Sequence, residues 1–355
     1  MKRFHCDCGN EIFFENRFCN VCNNSLGFVP KQQLFINPFT QTGYRFCSNY
    51  ESLQCNWLIH ESDSNPQCIA CRLTRIVPNL NKENNWRRWE KLEVTKRRAF
   101  YTLLRLHLAI PDRILLPQQP KNGQSQNGQS HNAQSTSQLH SESLSLLFDF
   151  LEDQRSNPDS ALDFVYTGHA NGVVTINVAE ADDSYRIATQ QCMHEPYRTL
   201  LGHFRHELGH YYWSVVVKQD ATLHAFRELF GDERADYAKT MQQFYTLGAS
   251  GDWQNRYISA YASSHPLEDW AETWAHYLHI SDTLETACSF GLLPSDEIMG
   301  TFHRWLSAWM RFSVTFNALN RSMGMDDPYP FVIGDMVKRK LQFINCLVKG
   351  EPLAC

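Results

Sequence analysis

His206-Glu207-Leu208-Gly209-His210 sets two histidines one helical turn apart, with a glutamate directly after the first. At i and i+4 on a helix the two imidazoles share a face and can hold one metal ion. Glu207, about 100° further round the helix, stays off the ion but reaches a water beside it. That arrangement suits metal-assisted hydrolysis: zinc brings the pKa of water down to about 7, and a carboxylate general base takes the proton. Five such residues also recur by chance on surface helices, so the neighbours decide. Phe204, Leu208, Tyr211, Tyr212 and Trp213 read as a buried helix, where an unpaired His or Glu is costly.

Two histidines need a third protein ligand. A histidine three residues beyond a following glycine is excluded, because position 216 is Val216 and no histidine stands between Tyr211 and Leu223. The alternative is a carboxylate on a later helix. Downstream of Tyr261, Ser264 reads as an N-cap and Pro266 suits a first turn, which puts Glu268 and Glu272 on one helix face. Glu268 is the expected ligand. Glu272, one turn on, is the expected acceptor for a ligand histidine's free N–H, with Asp269 a further supporting carboxylate. Asp269, His265 and Glu272 stay open as alternative third ligands, and Glu268 with Asp269 would also suit a helix N-terminus on dipole grounds alone. Tyr261, seven residues before Glu268, is a candidate donor to the developing oxyanion, and His265 is a second.

Eight of the 12 cysteines lie in the first 71 residues, in two quartets. Cys6, Cys8, Cys19 and Cys22 form one; Cys47, Cys55, Cys68 and Cys71 form the other. Close thiolate pairs separated by a short hairpin are what tetrahedral zinc sites need. Disulfides would require an oxidising compartment, yet Met1-Lys-Arg-Phe-His lacks the apolar stretch of a signal peptide. Reduced thiolates, two structural zinc ions and a cytoplasmic protein are therefore expected. Cys192, Cys288, Cys346 and Cys355 are scattered and read as ordinary thiols.

His-Glu-x-x-His followed by a distant Glu-x-x-x-Glu helix resembles the gluzincin arrangement. The string Tyr261…Glu268-Asp269-Trp270-Ala271-Glu272 looks like the third-ligand helix of the anthrax lethal-factor-like peptidases. Taken with its cysteine-rich start, the chain more closely resembles a bacterial family of zinc-binding metallopeptidases carrying an N-terminal zinc ribbon, and the likeness covers most of its length. This resemblance implies zinc ligation by His206, His210 and Glu268, a base in Glu207, and an oxyanion partner in Tyr261. It supports fold and metal better than any substrate.

The expected architecture is an α+β zincin-like metallopeptidase domain, mainly helical with a small edge-strand sheet, over residues 82–355, behind a double zinc-ribbon module at 1–81. A Gln-, Asn-, Ser- and Gly-rich stretch at 117–143 reads as a disordered insertion, since it cannot bury enough apolar area to offset its chain entropy. Helical signal resumes over Leu144–Leu151. Gly172–Val178 reads as a strand, placed to be the edge against which an extended substrate could pair. Trp86–Ala109 reads as a helix with Trp86, Trp89 and Leu92 packed inward and its basic residues on a solvated face. Its place after the ribbons allows a ribbon lying over the cleft.

Length, 43% apolar content and a net charge of −5 describe a globular chain, with no apolar run long enough to span a bilayer. The expected partner is a protein or peptide substrate, cleaved at a peptide or isopeptide bond with one catalytic zinc. A catalytically silent adaptor that binds protein through its ribbons is the competing class. Nucleic-acid binding is disfavoured by the overall acidity and the weakly basic N-terminal region.

Overall fold

The computed structural model describes residues 1–111, 145–193 and 199–353. The insertion expected at 117–143 lies outside them.

Three antiparallel strand pairs build the N-terminal region: β1 (Phe4–His5) with β2 (Glu11–Ile12), β3 (Gly27–Val29) with β4 (Leu34–Ile36), and β5 (Tyr44–Phe46) with β6 (Leu58–His60). β7 (Thr74–Ile76) leaves this region and joins a four-stranded sheet with β8 (Leu147–Leu151), β9 (Gly168–Ala170) and β10 (Val173–Asn177). Helix α1 (Asn85–Arg105) stands between β7 and β8 in sequence. After the sheet come α2 (Asp183–Met193), α3 (Leu200–Val216), α4 (Asp220–Phe230), α5 (Tyr237–Leu247), α6 (Pro266–Ser289), α7 (Ser295–Ile298), α8 (Phe302–Ser322) and α9 (Asp335–Lys349). The outcome is an α+β fold, mostly helical outside its small sheets.

Two strand expectations are corrected. Leu147–Leu151 is a strand, not a helix; it is parallel to both β7 and β10 and buried over most of its length. An apolar run of this size fits a two-sided buried strand as well as a helix segment. Arg75 on β7 meets Asp149 on β8, so the strand carries even its one charge in a pair. The sheet order β7-β8-β10-β9 also puts Val173–Asn177 in the interior, leaving the short β9 as the edge on that side and β7 as the other. Gly172, at φ 80°, makes the tight turn between β9 and β10.

Helix α3 lies on this sheet through Phe204, whose ring is 5.9 Å from Phe148 and 6.2 Å from Phe150. On its other side α3 meets α6. A Cβ on Gly209 would sit 3.0 Å from Ala271 Cα, so glycine allows the two backbones to approach this closely. Trp270 Nε1 donates to Gly209 O at 2.8 Å across the contact, and Tyr212 stacks on Trp274 with ring centroids 5.0 Å apart. Phe226, Phe230 and Phe343, from α4 and α9, close around Trp270.

The first ribbon docks on α1 and on the far end of α6. Phe4, Phe14 and Phe28 gather around Tyr101, and the Met1 ammonium reaches Asp282 Oδ1 at 2.9 Å. Asp282 is about 21 Å along the helix from Glu268, at 1.5 Å per residue, so this ribbon sits at the opposite end of α6 from Glu268 instead of lying over it. On α1 the expected solvated face is also corrected. Glu93, Lys96 and Arg97 are buried, with Lys96 Nζ 3.0 Å from Glu93 Oε1, while Trp86 is 47% exposed. Among the described residues no helix is long and apolar enough to cross a membrane.

Candidate metal centre

Thr199 caps α3 by accepting the Gly202 N–H at 3.0 Å, and the helical register then places His206 and His210 side by side. Their Nε2 atoms are 3.2 Å apart. The Glu268 carboxylate closes the triangle from α6, with Oε2 3.0 Å from His206 Nε2 and Oε1 3.4 Å from His210 Nε2. Two nitrogens each about 2.05 Å from a tetrahedral zinc ion lie about 3.3 Å apart. The spacing therefore fits a metal at the centre of the three.

Supporting bonds run outward from this triangle. His206 Nδ1 donates to Glu272 Oε1 at 2.8 Å, and Ser259 Oγ donates to Glu272 Oε2 at 2.7 Å. With Nδ1–H so engaged, the His206 lone pair at Nε2 faces the centre. Burial opposes a charge on His206, but the two glutamates outweigh it and hold the imidazole's pKa well above its usual value. For Glu268 the balance is similar: burial is overcome by His210 and His206, and its pKa falls well below the usual carboxylate range. Both shifts favour positive charge between the imidazoles and the carboxylate, which is the charge a metal ion would bring.

Glu207 differs from its neighbours. It is buried, its Oε2 has no hydrogen-bond partner among the described residues, and burial raises its pKa. The ring of Tyr261 stands 6.0 Å from that of His206, and burial, then the charge of Glu268, pushes its phenol pKa well up. His169, on edge strand β9, lies 6.1 Å from the Tyr211 ring; burial and the charge of His210 lower its pKa to about 4.

His265 and Asp269 are placed otherwise. His265, not Ser264, caps α6: its Nδ1 accepts the Leu267 N–H and its Nε2 donates to Ala235 O, both at 3.1 Å. Asp269 turns away and pairs with Lys340 of α9, Oδ2 to Nζ 2.6 Å, both side chains almost fully buried. Lys340 also donates to Arg256 O at 2.6 Å. Three contributors escaped the sequence reading. Gly209 gave a signal, since glycine inside a helix costs about 1 kcal/mol and so hints at a close approach. Ser259 and Tyr237, whose hydroxyl donates to Glu268 Oε1 at 2.9 Å, gave none, because nothing in their spacing ties them to α6.

Both cysteine quartets converge as thiols, and none of the described cysteines is bridged. Sulfur pairs lie at 3.5 Å (Cys6, Cys22), 3.7 Å (Cys8, Cys19), 3.7 Å (Cys55, Cys68) and 3.6 Å (Cys55, Cys71). Thiolates about 2.3 Å from a tetrahedral zinc are about 3.8 Å apart, so both quartets fit the ion. The second is the deeper: all four of its residues are buried, whereas Cys8 of the first is exposed. Arg97 supplies a buried cation beside it: burial opposes its charge, but Cys55, Cys71, Glu93 and Cys68 outweigh that and raise its pKa.

Comparison with known proteins agrees with this geometry. Residues 124–347 match a family described as "Putative zinc-binding metallo-peptidase", and residues 3–82 match a zinc-ribbon domain. Proteins of Mycobacterium bovis and Mycobacterium tuberculosis, each described as uncharacterized, are 36% identical over 357 residues, spanning 98% of this chain and 95% of theirs. No solved structure matches. The chain thus belongs to the zinc-binding metallopeptidase family so described, with a zinc-ribbon domain ahead of the peptidase region.

Proposed function

We propose that the chain is a zinc-dependent peptidase that hydrolyses a peptide or isopeptide bond, with one catalytic zinc held by His206, His210 and Glu268 and two structural zinc ions in the cysteine quartets. The observation that carries this reading is the closure of the two imidazoles and one carboxylate at 3.0–3.4 Å beside a buried glutamate with an unpartnered oxygen. Zinc held by these three residues would supply a Lewis acid for the scissile carbonyl and acidify the attacking water. Glu207 takes a proton from the water as its oxygen bonds to the carbonyl carbon, and returns it to the nitrogen as the C–N bond breaks; its raised pKa suits both halves of the task. Tyr261, kept protonated by burial, donates to the oxygen on which charge develops. Glu272 and Ser259 hold the His206 ring in place. Edge strand β9, beside α3, offers backbone pairing for an extended polypeptide, which gives affinity with little demand on its sequence.

We divide the chain into a ribbon module at 1–81 and a peptidase domain at 82–355, and we assign the ribbons a structural role and a protein partner. Eight reduced thiolates suit a reducing compartment such as the cytoplasm. The experiment is Glu207→Gln, assayed on unfolded protein substrates with zinc measured in parallel. The variant should keep wild-type zinc content and lose roughly 10²–10⁴-fold in turnover. Full activity in the variant would sink the mechanism.

A further inference from the structure

Glu268 carries one hydrogen bond that the proposed hydrolysis does not use. Glu268 presents Oε2 to His206 at 3.0 Å; its Oε1, at 3.4 Å from His210 Nε2, also accepts the Tyr237 hydroxyl at the shorter distance of 2.9 Å. Tyr237 opens α5, and no residue of that helix is buried. Asp236 caps it by accepting the Lys239 N–H at 3.0 Å, and Gly248, at φ 75°, ends it. Its ties to the domain gather over the metal centre: the Tyr237 ring lies 5.1 Å from His265, the Phe244 ring 6.0 Å from Tyr261, and the hydroxyl reaches Glu268. A helix with so little buried surface gains little from packing and depends on such ties for its place.

Resting on the zinc reading, we propose that Tyr237 is a positioning residue that holds Glu268 as a one-oxygen ligand and couples its grip on zinc to the placement of α5. A carboxylate that is free to turn can offer a metal both oxygens. Engaging Oε1 leaves Oε2 as the donor and keeps a position clear for water and substrate. A movement of α5 takes the hydroxyl away, and the ligand loses its restraint.

The test measures the affinity of the third zinc by chelator competition on the full chain, in wild type, Tyr237→Phe and Tyr237→Leu, with His206→Ala marking the ribbon sites alone. Tyr237→Phe keeps the ring against His265 and removes only the hydroxyl. It should bind the third zinc about 10–100-fold more weakly while the cysteine-bound zinc is unchanged. Amide exchange over 237–247 should quicken in the same variant. Wild-type affinity in Tyr237→Phe overturns the proposal, even if Tyr237→Leu loses zinc, because the residue would then act by packing alone. Weaker zinc with unaltered exchange over 237–247 overturns the coupling to α5. Equal zinc in wild type and His206→Ala is a different failure, that of the metal centre itself.

Discussion

The cysteine quartets and the His206–His210–Glu268 centre answer the same chemical demand in opposite ways. Each quartet draws four like ligands from one short stretch of chain, and its sulfurs fill a tetrahedron among themselves. The other centre draws three ligands from α3 and α6, more than 50 residues apart in sequence. It leans on Glu272, Ser259 and Tyr237 from further elements, and it keeps a buried glutamate oxygen unpaired. A closed set suits holding an ion; under the proposed function, the incomplete set with a glutamate beside it would use one. The ribbon ligands are a local set that a metal would stabilise, whereas the second centre is a product of the helical core.

The largest effect should come from breaking a closed set. Cys68→Ser removes a fully buried ligand, and on the order of 10–16 kcal/mol of apparent zinc binding is at stake in such sites. One zinc should be lost and residues 44–76 should become protease-sensitive, while the zinc at His206 stays. Loss of every zinc together would mean that the two regions fold as one.

Next, Lys340→Met asks how far the helical core carries the second centre. It strands the buried Asp269 carboxylate beside Glu268, at a cost of about 3–5 kcal/mol. Chemical denaturation should show that loss in the peptidase region, and an unchanged midpoint would show that the pair contributes nothing. A smaller effect is expected of Glu272→Gln. It weakens the acceptor that orients His206, so zinc affinity at this centre should fall about 10–100-fold with the ribbons untouched. Unchanged affinity would separate Glu272 from the metal.

The same contrast explains how much could be read from the sequence. What local spacing sets was legible: the convergence within each quartet, the pairing of the i,i+4 histidines, and the approach of Glu268, with Glu272 one turn on, after Pro266. What depends on long-range packing was not. The order of strands in a sheet is decided by pairing partners, so β10 could not be distinguished from an edge. The stretch at Leu147–Leu151 carries an apolar run that strand and helix share. His265 carries the same ring whether it ligates, donates to an oxyanion or caps a helix, and only the backbone around Leu267 and Ala235 selects the cap. Likewise the charges of Glu93, Lys96 and Arg97 look solvated until Thr74 and the second quartet are packed against them.

The most direct measurement is zinc per chain, by elemental analysis, in wild type and His206→Ala. Three clusters of ligands imply three ions in the wild type, falling to two in the variant with both quartets intact. Two ions in both proteins would contradict a metal at His206, His210 and Glu268, and with it the hydrolase.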